Sequence, residues 1–117
     1  MIPRELQART KSFALRVIKV VDALPRTTAS QVVGRQLLRI ATSVGANYRA
    51  ACRAQSRAEF AAKPSIVVEE ADETLYWLEL VQESGLIKPS KLAELLEEAN
   101  ELVAIVVAAR KTAKLAA

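Results

Sequence analysis

Four apolar stripes at helical spacing, separated by short breaks, restrict the fold of this chain more than any other feature. Leu6, Phe13, Val17 (or Ile18), Val20 and Leu24 form the first, Pro25 stops it, and Pro3 suits an opening turn. That spacing predicts a helix over roughly 3–23. After the turn and capping cluster LPRTT, the pattern continues through Val33, Leu37, Ile40, Val44, Tyr48, Ala51 and Cys52, giving a second helix over 29–54. The segment S-R-A-E then reads as a capping box, in which Ser56 and Glu59 satisfy each other's backbone N–H groups and start a third helix. Phe60, Val67, Ala71, Thr74, Leu75, Leu78 and Val81 form its stripe, and Gly85 offers a left-handed cap. Pro64 interrupts that stripe. It cannot donate to the carbonyl of Phe60, at a cost of about 3 kcal/mol in an unadjusted helix, so a kink or local break between Ala61 and Ser65 is expected without ending the helix. GLIKPS makes the last link, with Ser90 or Lys88 near the cap. Leu92, Leu95, Leu96, Ala99, Leu102, Val103 and Val106 carry a fourth helix to about Lys114, leaving KLAA to fray.

Long helices with short links favour antiparallel neighbours, so the predicted architecture is an all-α, up-down-up-down four-helix bundle. Residues 1–117 form one domain, without repeat or linker, and 51% hydrophobic content is enough for its core. No apolar run is long enough to span a bilayer, and Arg4, Glu5, Arg9 and Lys11 interrupt any signal-like stretch, so a cytoplasmic chain without membrane contact is expected. The single cysteine, Cys52, cannot pair internally and reads as a small buried side chain.

The chain contains no histidine, which removes Glu-x-x-His ligand pairs, Ser-His and Cys-His nucleophiles and histidine-based zinc sites. Gly34, Gly45 and Gly85 are isolated and make no phosphate-cradling loop. Glu69, Glu70, Asp72 and Glu73 could supply carboxylates for a cation or for acid/base work, but on a helix they spread over more than half the circumference. The expectation is a non-enzyme with no cofactor and no metal.

Charge is divided along the chain. Residues 1–63 hold twelve Lys/Arg against three acids, whereas residues 64–117 hold five against ten. A basic front half permits an external polyanion or a neighbouring subunit as its partner. Within it, residues 29–58 contain no acid, and four arginines share one face. At ~100° per residue with Arg35 at zero, Arg39 falls near ~+40°, Arg49 near ~−40° and Arg53 near zero, opposite the apolar stripe. The row spans about 27 Å at ~1.5 Å per residue. Any amphipathic helix has a charged outer face, but an ordinary one mixes signs for i, i+4 pairing, and this one does not. Arginine at every position suits bidentate contact with phosphate or carboxylate.

The order LLRIATSVGANYRAACRAQSRAEFAAK, followed by EEADETLYWLEL, resembles the four-helix bundle family of bacterial 23S ribosomal RNA intervening-sequence proteins, also called the S23 family. The likeness extends from FALRVIKVVDALP to ANELVAIVVAARKT. It implies an antiparallel bundle assembled as a ring-like homopentamer, in a family whose biochemical role is generally unassigned. The accessory variability protein of diversity-generating retroelements resembles this family in architecture and binds nucleic acid and a reverse transcriptase through a basic surface. By that likeness, RNA is the expected ligand of Arg35, Arg39, Arg49 and Arg53. One departure is AKPSI, where the family continues AK-L/M-G-I, which sets Pro64 and Ser65 in the third helix.

A ring gives each protomer two different surfaces, so the basic face of one subunit could meet the acidic face of the next, pairing Arg49 or Arg53 with Glu70 or Glu73. Trp77 lies on the Glu70 and Glu73 side of its helix and suits a subunit contact or the edge of the core. The competing function is therefore a structural or protein-interaction module whose arginines form subunit ion pairs. Asn47, near the core boundary, reads as a buried amide that fixes helix register.

Overall fold

A computed structural model describes residues 1–53 and 57–116, with side chains over 1–53 and 63–112. Four helices follow one another: α1 (Pro3–Asp22), α2 (Thr28–Cys52), α3 (Arg57–Glu83) and α4 (Pro89–Ala116). Each packs along its chain neighbours, and a thinner contact between α1 and α4 closes a bundle measuring 45 × 22 × 19 Å.

Pro3 opens α1, where its missing N–H costs no hydrogen bond. The N-cap of α2 is Thr27, whose side-chain oxygen accepts from the backbone N–H of Ser30 at 3.1 Å. Gly85 turns the chain after α3 with φ +75°, a conformation that other residues rarely adopt. Lys88 stands at the cap of α4, its carbonyl accepting from the N–H of Lys91 at 2.9 Å, and α4 continues to Ala116, past the expected Lys114. The capping box of Ser56 and Glu59 and the core position of Phe60 lie outside the described residues.

The stripes meet as expected, with one choice settled and one reading corrected. Val17 is fully buried while Ile18 is 38% exposed, so α1 turns Leu6, Phe13 and Val17 inward. Facing them are Leu37, Ile40, Ala41 and Val44 of α2, Val67, Ala71, Leu78 and Val81 of α3, and Leu92, Leu95, Ala99, Leu102 and Val106 of α4. Cys52, expected to be buried, is exposed. Ala51 takes the last core position of α2, and the ~100° step to the next residue carries the thiol outward beside Tyr48 at the bundle end. Burial and the Cys52 thiol together push the Tyr48 phenol above its ordinary range.

α3 runs unbroken through Pro64, which is buried against the same bundle end as Tyr48, Val67 and Val106. A complete break is therefore absent, and beyond the proline the apolar stripe resumes with Val67 and Ala71 in the core. Buried hydroxyls turn back on their own helices: Thr10 Oγ1 lies 2.9 Å from the carbonyl of Leu6, and Thr74 Oγ1 lies 2.7 Å from that of Glu70. Thr10 also receives α2, since a methyl group on Gly45 would stand 3.3 Å from its Oγ1 and 3.5 Å from its carbonyl carbon. That close approach brings the first half of α1 against the last third of α2.

Candidate nucleic-acid interface

Four helical turns of α2 separate Arg35 from Arg49, and all four predicted arginines are solvent-exposed. They are not equivalent. Arg39 leans toward α3, where its Nη2 is 3.7 Å from Glu73 Oε2 and donates to Gln36 Oε1 at 3.0 Å. This arginine has a through-space acid that its own helix does not contain. Arg35, Arg49 and Arg53 have no acidic partner among the described residues. Arg49 lies in the last turn of α2 and Arg53 at its C-cap, where a cation also complements the helix dipole.

Arg49 leans the other way, toward α1. There it borders a groove of about 330 Å³ with Gln7, Ala8, Lys11, Gly45 and Ala46, a set without a carboxylate. Arg35 borders a smaller recess with Arg26, Gly34 and Asp22 at the α1–α2 turn. The exposed arginines that spacing sets on one face thus open onto different surroundings. Lys11 was not a sequence candidate. Its place on α1 is legible, but the neighbour that its flank would face is decided by how the helices pack.

The acidic side of the molecule is partly occupied by contacts within the single chain. Glu70 is half-buried and accepts from Asn47 Nδ2 at 2.7 Å, so Asn47 ties α2 to α3 from a half-buried position. Glu73 Oε2 accepts from Trp77 Nε1 at 3.2 Å, and Trp77 packs on the edge of the core. Tyr76 stands edge-on to Trp77 at 5.5 Å between ring centroids and is 54% exposed. Glu69 and Asp72 face solvent elsewhere on the helix. The acids of α3 diverge, and among the described residues no three Cys, Asp or Glu side chains converge to hold a metal ion. No helix among them is long and apolar enough to cross a membrane.

A further ionic cluster joins residues far apart in the sequence. Arg9 donates to both Glu98 oxygens, from Nε at 2.7 Å and Nη2 at 2.6 Å, and Nη2 also reaches Glu101 Oε2 at 2.9 Å. Hydrogen bonding to this guanidinium holds the Glu98 carboxyl below the usual carboxylate range, and the same bond to Glu98 raises Arg9. The cluster joins the two helices with the thinnest contact, which gives it a structural role.

Comparison with known proteins adds identity to this geometry. The model of the 23S rRNA-intervening sequence protein family matches residues 4–108. A crystal structure of a protein with unknown function from the S23 ribosomal protein family of Bacteroides thetaiotaomicron VPI-5482 superposes with a TM-score of 0.86 at 32% identity, covering 95% of this chain and 99% of that one. No curated protein matches the chain.

Proposed function

The chain belongs to the 23S rRNA-intervening sequence protein family, and from that premise we propose that it is a non-enzymatic, homo-oligomeric RNA-binding bundle. The observation that carries this reading is a helix face with three exposed arginines and no acidic partner among the described residues. Phosphate is the anion that such guanidinium groups hold without sequence preference. Arg35, Arg49 and Arg53 are its principal contacts, while Arg39 shares its charge with Glu73 and contributes less.

Assembly into a ring, with five protomers as the proposed number, would set several such faces on one surface. The contact we assign to it is the α3 flank that carries Glu73, Trp77 and the exposed Tyr76, with Glu70 beneath. The test is fluorescence anisotropy with a labelled single-stranded RNA over a series of salt concentrations. Affinity should fall on a log-log plot by about 0.7 for each phosphate neutralised. Alanine at Arg35 should flatten that slope while leaving the oligomer mass unchanged, and alanine at Arg39 should flatten it less. If salt leaves RNA affinity unchanged, or if Arg49→Ala and Arg53→Ala dissociate the ring, the arginines serve assembly instead.

A further inference from the structure

We infer that the ligand's backbone lies in the groove between α1 and α2, with Lys11 facing Arg49 across it, and that a single strand is the form that fits. This inference rests on the RNA reading above and gives the same site a second bank and a narrower ligand class.

The ridge formed by the α2 arginines is convex, and a ridge alone holds a flexible strand poorly. Beside it runs a trough made by small side chains. Gly45 packs so closely on Thr10 that α1 and α2 approach without bulky residues between them, leaving Ala8, Gly45 and Ala46 to line the floor. Lys11 stands on one bank and Arg49 on the other. Both banks continue toward the same end of the bundle, because the start of α1 and the end of α2 meet there, as Pro3 and Cys52 show by lining one cavity. Arg4 lies seven residues before Lys11 on the same face of α1, and Arg53 follows Arg49 by one turn.

The lining fixes the chemistry. No carboxylate borders the trough, so an anion meets only positive charge there. No aromatic ring lines it either, so bases have no surface on which to stack and must point outward. The result is recognition of a phosphodiester backbone without base preference. Packed helices have axes about 8–10 Å apart, which leaves a trough for one backbone rather than for a duplex. A second acid-free basic groove among the described residues, lined by Lys19, Lys88 and Lys91, has an apolar floor of Val20, Leu86 and Ile87 and lies away from the arginine face. It suits phosphate less well.

The test uses labelled oligo(U), oligo(A) and an RNA duplex with the full-length protein and two substitutions on α1, the helix that a ridge-only interface would not use. Lys11→Ala should reduce the log-log salt slope by about 0.7, one phosphate's share. Ala8→Phe, at an exposed position, fills the trough without changing charge and should weaken single-strand binding about tenfold, the equivalent of one charge-assisted contact. Both variants should keep the wild-type melting temperature and oligomer mass, and the two homopolymers should bind alike and more tightly than the duplex. If neither substitution alters binding while Arg49→Ala does, the strand rides on α2 alone and the groove assignment is wrong. A loss of oligomer mass in either variant would overturn it differently, by showing that the trough receives a second copy of the chain. Absence of salt-sensitive RNA binding by the wild-type protein would remove the RNA reading itself, with the groove.

Discussion

Two glycines on α2 show how one residue type can serve different local needs. At Gly34 a methyl group would meet Leu24 Cδ1 at 3.1 Å and Val21 Cγ1 at 3.4 Å. Leu24 is half-buried beyond the end of α1, and the tip of its side chain can rotate aside. The methyl at Gly45 would instead meet Thr10 Oγ1 at 3.3 Å, and that hydroxyl is pinned to the Leu6 and Gln7 carbonyls of its own helix, so that relief comes from a shift of α1 rather than from a rotating side-chain tip. Alanine gains about 1 kcal/mol over glycine in a helix interior. Gly34→Ala should therefore raise the melting temperature, whereas Gly45→Ala should lose that gain to displacement of α1. Urea denaturation of the two variants checks the difference, and an equal gain at both sites would show that the α1–α2 seam is looser than its geometry indicates. Sequence spacing gave each of these positions a face on its helix. It could not distinguish Arg39 from Arg35, because the difference is a carboxylate thirty-four residues away on another helix.

Between helices, the reading from sequence succeeds where one period is enough and fails where two elements must be oriented together. The stripes of α1 to α4 follow from a single helix's geometry, and the structure places them in the core. Cys52 escaped because the stripe's edge shifts at a helix end. The Arg9 cluster is not legible in the sequence because Arg9 and Glu98 stand eighty-nine residues apart in the chain. That cluster has a pH signature. Glu98 has a lowered carboxyl in the folded state, so its contribution is complete above the ordinary carboxylate range and is lost as pH falls through the folded value. Arg9, raised from an already high value, stays charged throughout this window. With Glu98 only 16% exposed, Glu98→Gln should cost about 1–2 kcal/mol at neutral pH and progressively less in acid. Denaturation curves at neutral and acidic pH measure this; an undiminished deficit in acid would assign the effect to packing. Within α3, Pro64→Leu should raise stability, because it restores the bond to the Phe60 carbonyl and a cavity of about 450 Å³ beside Val67 and Val106 can receive the longer side chain. A lower melting temperature would mean that the surrounding packing is fitted to the proline.

At the scale of the whole molecule, the charge division between the two halves gives each protomer a basic α2 and an acidic α3, but these already meet inside one bundle at Arg39–Glu73 and Asn47–Glu70. The proposed assembly must then rest on more than opposite charge. Exposed apolar side chains occur on more than one flank: Ile66 (47%) and Tyr76 (54%) on α3, Val32 (53%) on α2, and Leu15 (55%) and Ile18 (38%) on the outer side of α1, with Met1 and Ile2 exposed just before it. A head-to-tail ring requires two different surfaces on each subunit, and apolar side chains on separate flanks meet that requirement. On this basis a Trp77→Ala, Glu73→Arg double variant should dissociate, giving the 12.8 kDa protomer by light scattering at micromolar concentration. It should also bind RNA more weakly than the ring, even though Glu73→Arg frees Arg39 and adds a cation beside it, because linked sites act at high effective concentration and isolated protomers do not. The salt slope separates the two effects. A protomer that keeps its own contacts retains the slope expected of one groove, while the ring shows a steeper one in proportion to the grooves a strand engages. Unchanged mass in the double variant would free the Glu73 and Trp77 flank of any role in assembly, and equal slopes for ring and protomer would mean that each RNA strand occupies a single subunit.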